Sequence, residues 1–494
     1  MRAIAIFSPS RRSGKSWLTA ALGRSLVRSG WRVAPFQGQT EITHGYRVDP
    51  LAEVSHSLAW QAWAARVAPS TGLNPVLLKA PSPTEDRLDS LQMLIQGRGI
   101  GTVTRTSYYE NYYNIVRPLI RECLLKIQAD YDFLLFDSYR HGLYYPIQGD
   151  TDQNFEILQG LGLSTTGLLL VDCTHEGEIS QLWGLWQRLS TANRKLIHGV
   201  IFNQWQGDRQ TEIDITHWVQ VHMQLPILGF IPPLPHLVFN PESLLVFEQS
   251  PLERLQNKLR IQVLQLSGFR DYGDFDPLMS EPSVQLEFLH PADPLGYPDA
   301  VIIPHTDEAI AALEELQKYS YPQQLQQYIN AGGTVLGMGN GANLLCQKTR
   351  LQKDSFQVAL NLMPFRSQIH PPTPQDLCET ISRFPFPNLP LRGLRLPYDI
   401  QNYDSSSGYL ELFETPNLGL TNQTQTVWAI YLRNLFDNSP WRRFWLNTLR
   451  QKRGLASLPT GIADFAERRE AVLEAIANHF ENHVDLRSLL PDLS

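Results

Sequence analysis

Nine residues near the start of the chain, Ser8-Pro-Ser-Arg-Arg-Ser-Gly-Lys-Ser16, combine the residue types that hold phosphate. An apolar run, Ala3-Ile-Ala-Ile-Phe7, precedes them. A helical pattern from Trp17 to Val27 follows, with Leu18, Leu22 and Leu26 on one face. A strand, a tight loop and a helix opening on Gly-Lys-Ser is the setting of a P-loop. There the backbone around Ser13 and Gly14 and the helix N-terminus wrap the phosphates, Lys15 neutralises them, and the Ser16 hydroxyl ligates Mg²⁺. The chemistry implied is binding of ATP with Mg²⁺. Pro9 stands where GxxxxGK[ST] has its first glycine, so an ordinary strand-to-helix turn is the competing reading.

A P-loop needs a parallel sheet to carry it, and the pattern supplies one. Short apolar runs end in polar residues at Phe133-Leu-Leu-Phe-Asp137, Thr166-Gly-Leu-Leu-Leu-Val-Asp172 and Gly199-Val-Ile-Phe-Asn203. Helical stretches alternate with them, around Val54–Val67 and Tyr113–Ala129. Such alternation predicts a doubly wound α/β domain whose strand-end residues gather where these sheets bind ligands. Asp137 then offers carboxylate oxygen to Mg²⁺.

A proline-rich stretch after Pro226-Ile-Leu-Gly-Phe-Ile-Pro232 marks a boundary, and a connecting helix is expected up to Lys258. A second alternating unit starts at Arg260-Ile-Gln-Val-Leu-Gln-Leu266. The organisation predicted is a P-loop domain over 1–232, a linker over 233–258, a second α/β domain over 259–450 and a helical tail over 451–494. Within the second unit, Thr334-Val-Leu-Gly-Met-Gly-Asn-Gly-Ala-Asn-Leu-Leu345 reads as strand, sharp turn and helix, a nucleophile-elbow arrangement. Gly337, Gly339 and Ala342 also fit a dinucleotide fingerprint, but the acidic ribose partner is not evident.

With 494 residues, 43% hydrophobic, there is material for two or three packed cores. A net charge of −7 argues against a dedicated nucleic-acid binder. No apolar run has membrane-spanning length and no signal peptide is expected, and four scattered cysteines fit a reduced, cytoplasmic setting. His141, His175 and His305 lack metal-ligand spacing. Tyr108, Tyr109, Tyr112 and Tyr113 are either a helix packing face or a stacking platform for a flat ligand. Trp183, Trp186, Trp205 and Trp218 read as core or interface anchors.

In order along the chain, the segments resemble the cobyric acid synthase family. Matching stretches include Val33-Ala-Pro-Phe36 with Gln39, Asn74-Pro-Val-Leu-Leu-Lys79, Gln96-Gly-Arg-Gly-Ile-Gly101, Asp274-Phe-Asp276, Asp299-Ala-Val-Ile-Ile-Pro304 and Leu435-Phe-Asp-Asn438. The resemblance implies an ATP-dependent amidoligase domain fused to a class I glutamine amidotransferase-like domain. It implies amidation of corrinoid carboxylates in cobalamin biosynthesis, with Asn203 at the adenine edge and Glu53 as an acidic residue near the metal. From the residues alone, Asn203 equally caps a turn and Glu53 is equally a solvated helix-start carboxylate.

Departures from the family pattern fall on the catalytic positions. Gly339 occupies the place of the nucleophilic cysteine at the elbow, and Arg433 the place of the base histidine. The loop after Pro304 is His305-Thr-Asp307 where the family has a Gly-Ser-Lys type of loop. In the first domain Gln37 and Thr40 replace a Lys and an Asn, Asp137 replaces a glutamate, and Arg12 replaces an acidic residue. Ser138-Tyr-Arg140 and His175-Glu-Gly177 replace small glycine-containing runs. Two functions compete. One is an ATP-dependent amide ligase fed by ammonia from solution or a partner protein; the other is an inactive paralogue that binds nucleotide or corrinoid. Assembly into a homo-oligomer is compatible with either.

Overall fold

A computed structural model of the chain describes residues 1–9, 13–43, 45–49, 52–80, 90–137, 157–160, 162–175, 177–234, 237–239, 246–248, 258–352, 355–368, 376–396, 400–401 and 409–486. Arg11, Arg12, Ser138-Tyr-Arg140, His141 and Tyr398 lie outside them. The chain divides into two compact units. One comprises 1–48, 52–246 and 469–494; the other comprises 49–51 and 247–468.

The first unit is built on a six-stranded sheet in the order Ile227–Ile231, Ile197–Asn203, Thr165–Asp172, Arg2–Phe7, Phe133–Asp137, Val33–Phe36. Each neighbouring pair runs parallel. Its central strands Arg2–Phe7 and Phe133–Asp137 are buried on both faces, which explains why they read as continuous apolar runs rather than alternating ones. Ile6 pairs with Asp137, and Asp172 with Asn203, so the polar strand ends share one edge. A smaller sheet, Gln39–Ile42, Val76–Lys79, Ser90–Ile95 and Arg98–Thr104, lies alongside in the sequence between the second and third strands of the core. Its last hairpin turns on Gln96 and Gly97, both at positive φ (48° and 78°), the backbone that a tight two-residue turn requires.

Leu18, Leu22 and Leu26 are buried on the helix Lys15–Arg28 as their spacing predicts. The pattern read as a helix around Val54–Val67 is instead a strand, Ala52–Ser55, then a helix, His56–Ala64. Ser55 makes the switch: its backbone is extended and its hydroxyl accepts from Leu58 N, capping the helix. The helix Tyr113–Gln128 is preceded by a wide turn, Tyr108–Tyr112.

The second unit holds a seven-stranded sheet in the order Val284–Leu289, Leu259–Leu264, Ala300–Ile303, Thr334–Met338, Val427–Ile430, Gly419–Asn422, Tyr409–Glu411. The first five strands are parallel and the last two antiparallel. Trp428, Trp441, Trp445 and Phe436 fill its core.

Two boundaries differ from those the sequence suggests. The linker contains short strands, Leu237–Phe239 and Val246–Glu248, where its pattern reads as helix. The tail is not a separate piece. The helix Ser439–Lys452 runs through position 450 within the second unit, and residues from Arg469 onward belong to the first.

Candidate functional site

The phosphate-binding geometry begins with Gly14. Its φ of 90° places it in the left-handed region, where glycine is least costly, and it caps the helix Lys15–Arg28 without any side-chain partner. No described side chain caps this helix start, which is the kind of terminus that receives an anion. Ser13 is buried, and its hydroxyl meets no hydrogen-bond partner among the described residues. The Asn203 amide donates to the Ser13 carbonyl at 2.9 Å and packs against Gly14, so the last residue of its strand holds the loop in place.

Ser16 and Asp137 meet directly: the Ser16 hydroxyl donates to Asp137 Oδ2 at 2.7 Å. Two amides converge on the same oxygen, Gln61 Nε2 at 2.8 Å and Gln37 Nε2 at 3.2 Å. Burial pushes the Asp137 carboxyl upward, and Lys15 and these three donors oppose that rise. Burial likewise lowers Lys15, opposed by Asp137. The hydroxyl–carboxylate pair is the donor set a magnesium ion takes beside bound phosphate, so the residues present fit the cation.

Glu53 is placed otherwise. Its buried carboxylate is ion-paired with Lys79 at 2.9 Å, and the solvated reading of the sequence does not hold. Asp172 accepts from Thr174 N and Oγ1 in a local turn. Among the described residues no group of three or more His, Cys, Asp and Glu side chains is arranged to hold a metal.

The tyrosines divide. Tyr108 is fully buried and donates to Gln39 Oε1 at 2.7 Å, and burial raises its hydroxyl. Tyr109 packs edge-on against it and Tyr113 is buried, leaving Tyr112 exposed. Three of the four therefore serve packing.

In the second unit the strand Thr334–Met338 ends at Gly339, whose φ of 53° and ψ of −120° form a sharp turn, in a region that favours glycine, into the helix Asn340–Leu344. The elbow backbone is present, with glycine at its turn. His305 fills the space instead: a Cβ on Gly339 would stand 2.5 Å from His305 Nδ1 and 2.6 Å from Leu396 Cδ1. His305 Nδ1 also accepts from Asn340 N at 3.1 Å. That N–H follows the nucleophile position, where an acyl-transfer site uses such a donor to stabilise an oxyanion. Its buried partner thus caps the donor. His305 was legible as an isolated histidine and as a departure from the family's loop after Pro304, but not as the partner of Gly339, 34 positions away in sequence.

Arg433 is buried and clamped by acids, to Asp274 at 2.9 and 3.0 Å and to Asp271 at 3.1 Å. A guanidinium so held accepts no proton. Cys346 opens the strand Cys346–Gln352 just after the elbow helix, with Sγ 3.2 Å from Ser367 Oγ, and burial pushes its thiol up to about 11. Among the described residues no helix is long and apolar enough to cross a membrane.

These features define a P-loop nucleotide-binding domain joined to a class I amidotransferase-like domain. The family model described as CobQ/CobB/MinD/ParA nucleotide binding domain matches residues 4–245, and that of the CobB/CobQ-like glutamine amidotransferase domain matches 260–371. Cobyric acid synthase of Nostoc punctiforme is 37% identical, with 99% of this chain and 100% of the relative covered. The same enzyme of Rippkaea orientalis is 35% identical over the same shares, and that of Nostoc sp. 36%. The chain belongs to the cobyric acid synthase family.

Proposed function

We propose that this chain is an ATP-dependent amide ligase acting on corrinoid side-chain carboxylates in cobalamin biosynthesis, supplied with ammonia from solution or a partner. Full-length similarity to cobyric acid synthases supports the reaction class. In that reaction the ATP γ-phosphoryl passes to a substrate carboxylate, and ammonia then displaces phosphate from the acyl phosphate to give the amide. Lys15 neutralises the phosphates while Ser16 and Asp137 would hold Mg²⁺, which supplies charge neutralisation when bound. The observation that carries the ammonia requirement is His305 packed into the elbow at Gly339 and accepting from Asn340 N. Without a thiolate, a base or a free oxyanion donor, glutamine has no route to a thioester.

Incubation with ATP, Mg²⁺, a diamide corrinoid and either ammonium or glutamine tests both parts. ADP and amide product with ammonium, and none with glutamine, is the expected result. Product with glutamine alone would overturn the loss of the glutaminase centre, and no product with either would overturn ligase activity. A second reading, a nucleotide- or corrinoid-binding regulatory protein, is favoured by one observation: Glu53 is tied up by Lys79 rather than offered to a metal. Nucleotide binding without ADP formation under any of these conditions would establish it.

A further inference from the structure

We infer that Gln61 and Gln37 are positioning residues that lock the Asp137 carboxylate for its cation, an inference resting on the nucleotide reading above. All three side chains are buried: Gln61 is 1%, Gln37 3% and Asp137 6% exposed. The orientation of the amides follows from their neighbours. Gln37 Oε1 accepts from Ser55 Oγ at 2.5 Å and Thr40 Oγ1 at 3.0 Å, which turns its NH₂ toward Ser57 Oγ at 2.9 Å and toward Gln61 and Asp137. Gln37 Nε2 reaches Gln61 Oε1 at 3.2 Å, which turns the Gln61 NH₂ onto Asp137 Oδ2 and the Ser16 carbonyl. Hydroxyl, amide, amide and carboxylate thus form one directed chain in which each bond polarises the next.

The chain ends on a single oxygen. Oδ2 accepts from Ser16, Gln61 and Gln37, whereas Oδ1 accepts no hydrogen bond from any described residue. A carboxylate loaded this way cannot rotate without breaking the short bonds from Ser16 at 2.7 Å and Gln61 at 2.8 Å, with Gln37 shared between it, Ser57 and Gln61, so it presents Oδ1 in a fixed direction. Gln61 also ties the carboxylate to the P-loop helix through the Ser16 carbonyl at 3.3 Å, fixing the spacing of the two metal-ligating groups. A structural network would stabilise the fold alone; this one sets the Mg²⁺ dependence of nucleotide binding.

The test titrates a non-hydrolysable ATP analogue into the full chain by calorimetry, once in excess Mg²⁺ and once in EDTA. Gln61→Leu removes the donor, and Gln61→Glu, nearly isosteric, turns an acceptor on the carboxylate. Both should lose about tenfold of the affinity gained from Mg²⁺, with affinity in EDTA within about twofold of wild type. Equal losses in both media would overturn the inference in favour of a purely structural role, as would an unchanged Mg²⁺ gain in both variants. Failure of the wild type to bind in either medium would overturn the nucleotide reading itself, and this inference with it.

Discussion

Gly339 shows how far one side chain can decide a site. The elbow turns at a glycine, φ 53°, and His305 Nδ1 and Leu396 Cδ1 stand where a Cβ would begin. Restoring the nucleophile alone, Gly339→Cys, therefore combines a positive-φ penalty with overpacking, about 2–5 kcal/mol together. Calorimetry should show a lower melting temperature, and no glutamate should be released from glutamine. Adding His305→Gly should recover only the part due to the ring, since the positive φ and Leu396 remain; if the single variant melts like wild type, the ring does not occupy the elbow as described. The sharp strand-to-helix turn at Gly339 was legible in the sequence from its glycine-rich pattern. What packs against it was not, since no local pattern ties His305 to Gly339. The same holds in the first unit, where Gln37 and Asp137 read as two separate departures from the family pattern. They touch at 3.2 Å, so the neutral amide serves the shorter carboxylate.

Elements are pinned to one another by charge as well as by apolar packing. Arg32 and Asp132 precede the adjacent strands Val33–Phe36 and Phe133–Asp137, with Arg32 donating through its backbone N at 3.0 Å and its guanidinium at 2.8 and 3.2 Å. Those bonds pull the Asp132 carboxyl down to about 2 from an ordinary 3.8. The folded value lies below the unfolded one, so the pair stabilises the fold above that ordinary value. The contribution disappears as pH falls toward 2. Denaturant midpoints measured across that interval should fall more steeply for wild type than for Asp132→Asn; parallel slopes would show that the pair does not shift the titration. The sequence revealed these strands through their apolar runs but not their register. The switch at Ser55 was hidden too, because Ala52–Ala64 is buried at almost every position, so neither a two-residue nor a 3.6-residue period stands out.

At the scale of the whole chain, the first unit is completed by residues far from it in sequence. Arg24 on the P-loop helix is fully buried and bonds Glu470 at 2.8 Å, Glu474 at 3.1 Å and the Trp63 carbonyl at 3.0 Å. Arg469 lies 3.9 Å over the Trp63 ring. Neutralising both acids, Glu470→Gln with Glu474→Gln, leaves a buried cation without its counterions and should cost about 3 kcal/mol, read from a denaturant midpoint.

Beyond the helix, Val484 bridges Gly229 and Asp485 N donates to the Leu228 carbonyl at 2.7 Å, so the tail pairs with the edge strand Ile227–Ile231. The periodicity of Phe465–His483 announced a helix with a face to bury, but periodicity names no partner, which is why the tail read as a separate piece. A chain ended after Arg468 would expose an unpaired sheet edge and the buried Arg24 at once. It should therefore aggregate in size-exclusion chromatography and lose nucleotide binding, although every P-loop residue remains. A peptide of residues 469–494 added in trans should restore a monodisperse species. If the truncated chain stays monodisperse and melts like the full chain, the tail is an ornament on the first unit, and the contacts at Arg24 and Leu228 contribute nothing to its fold.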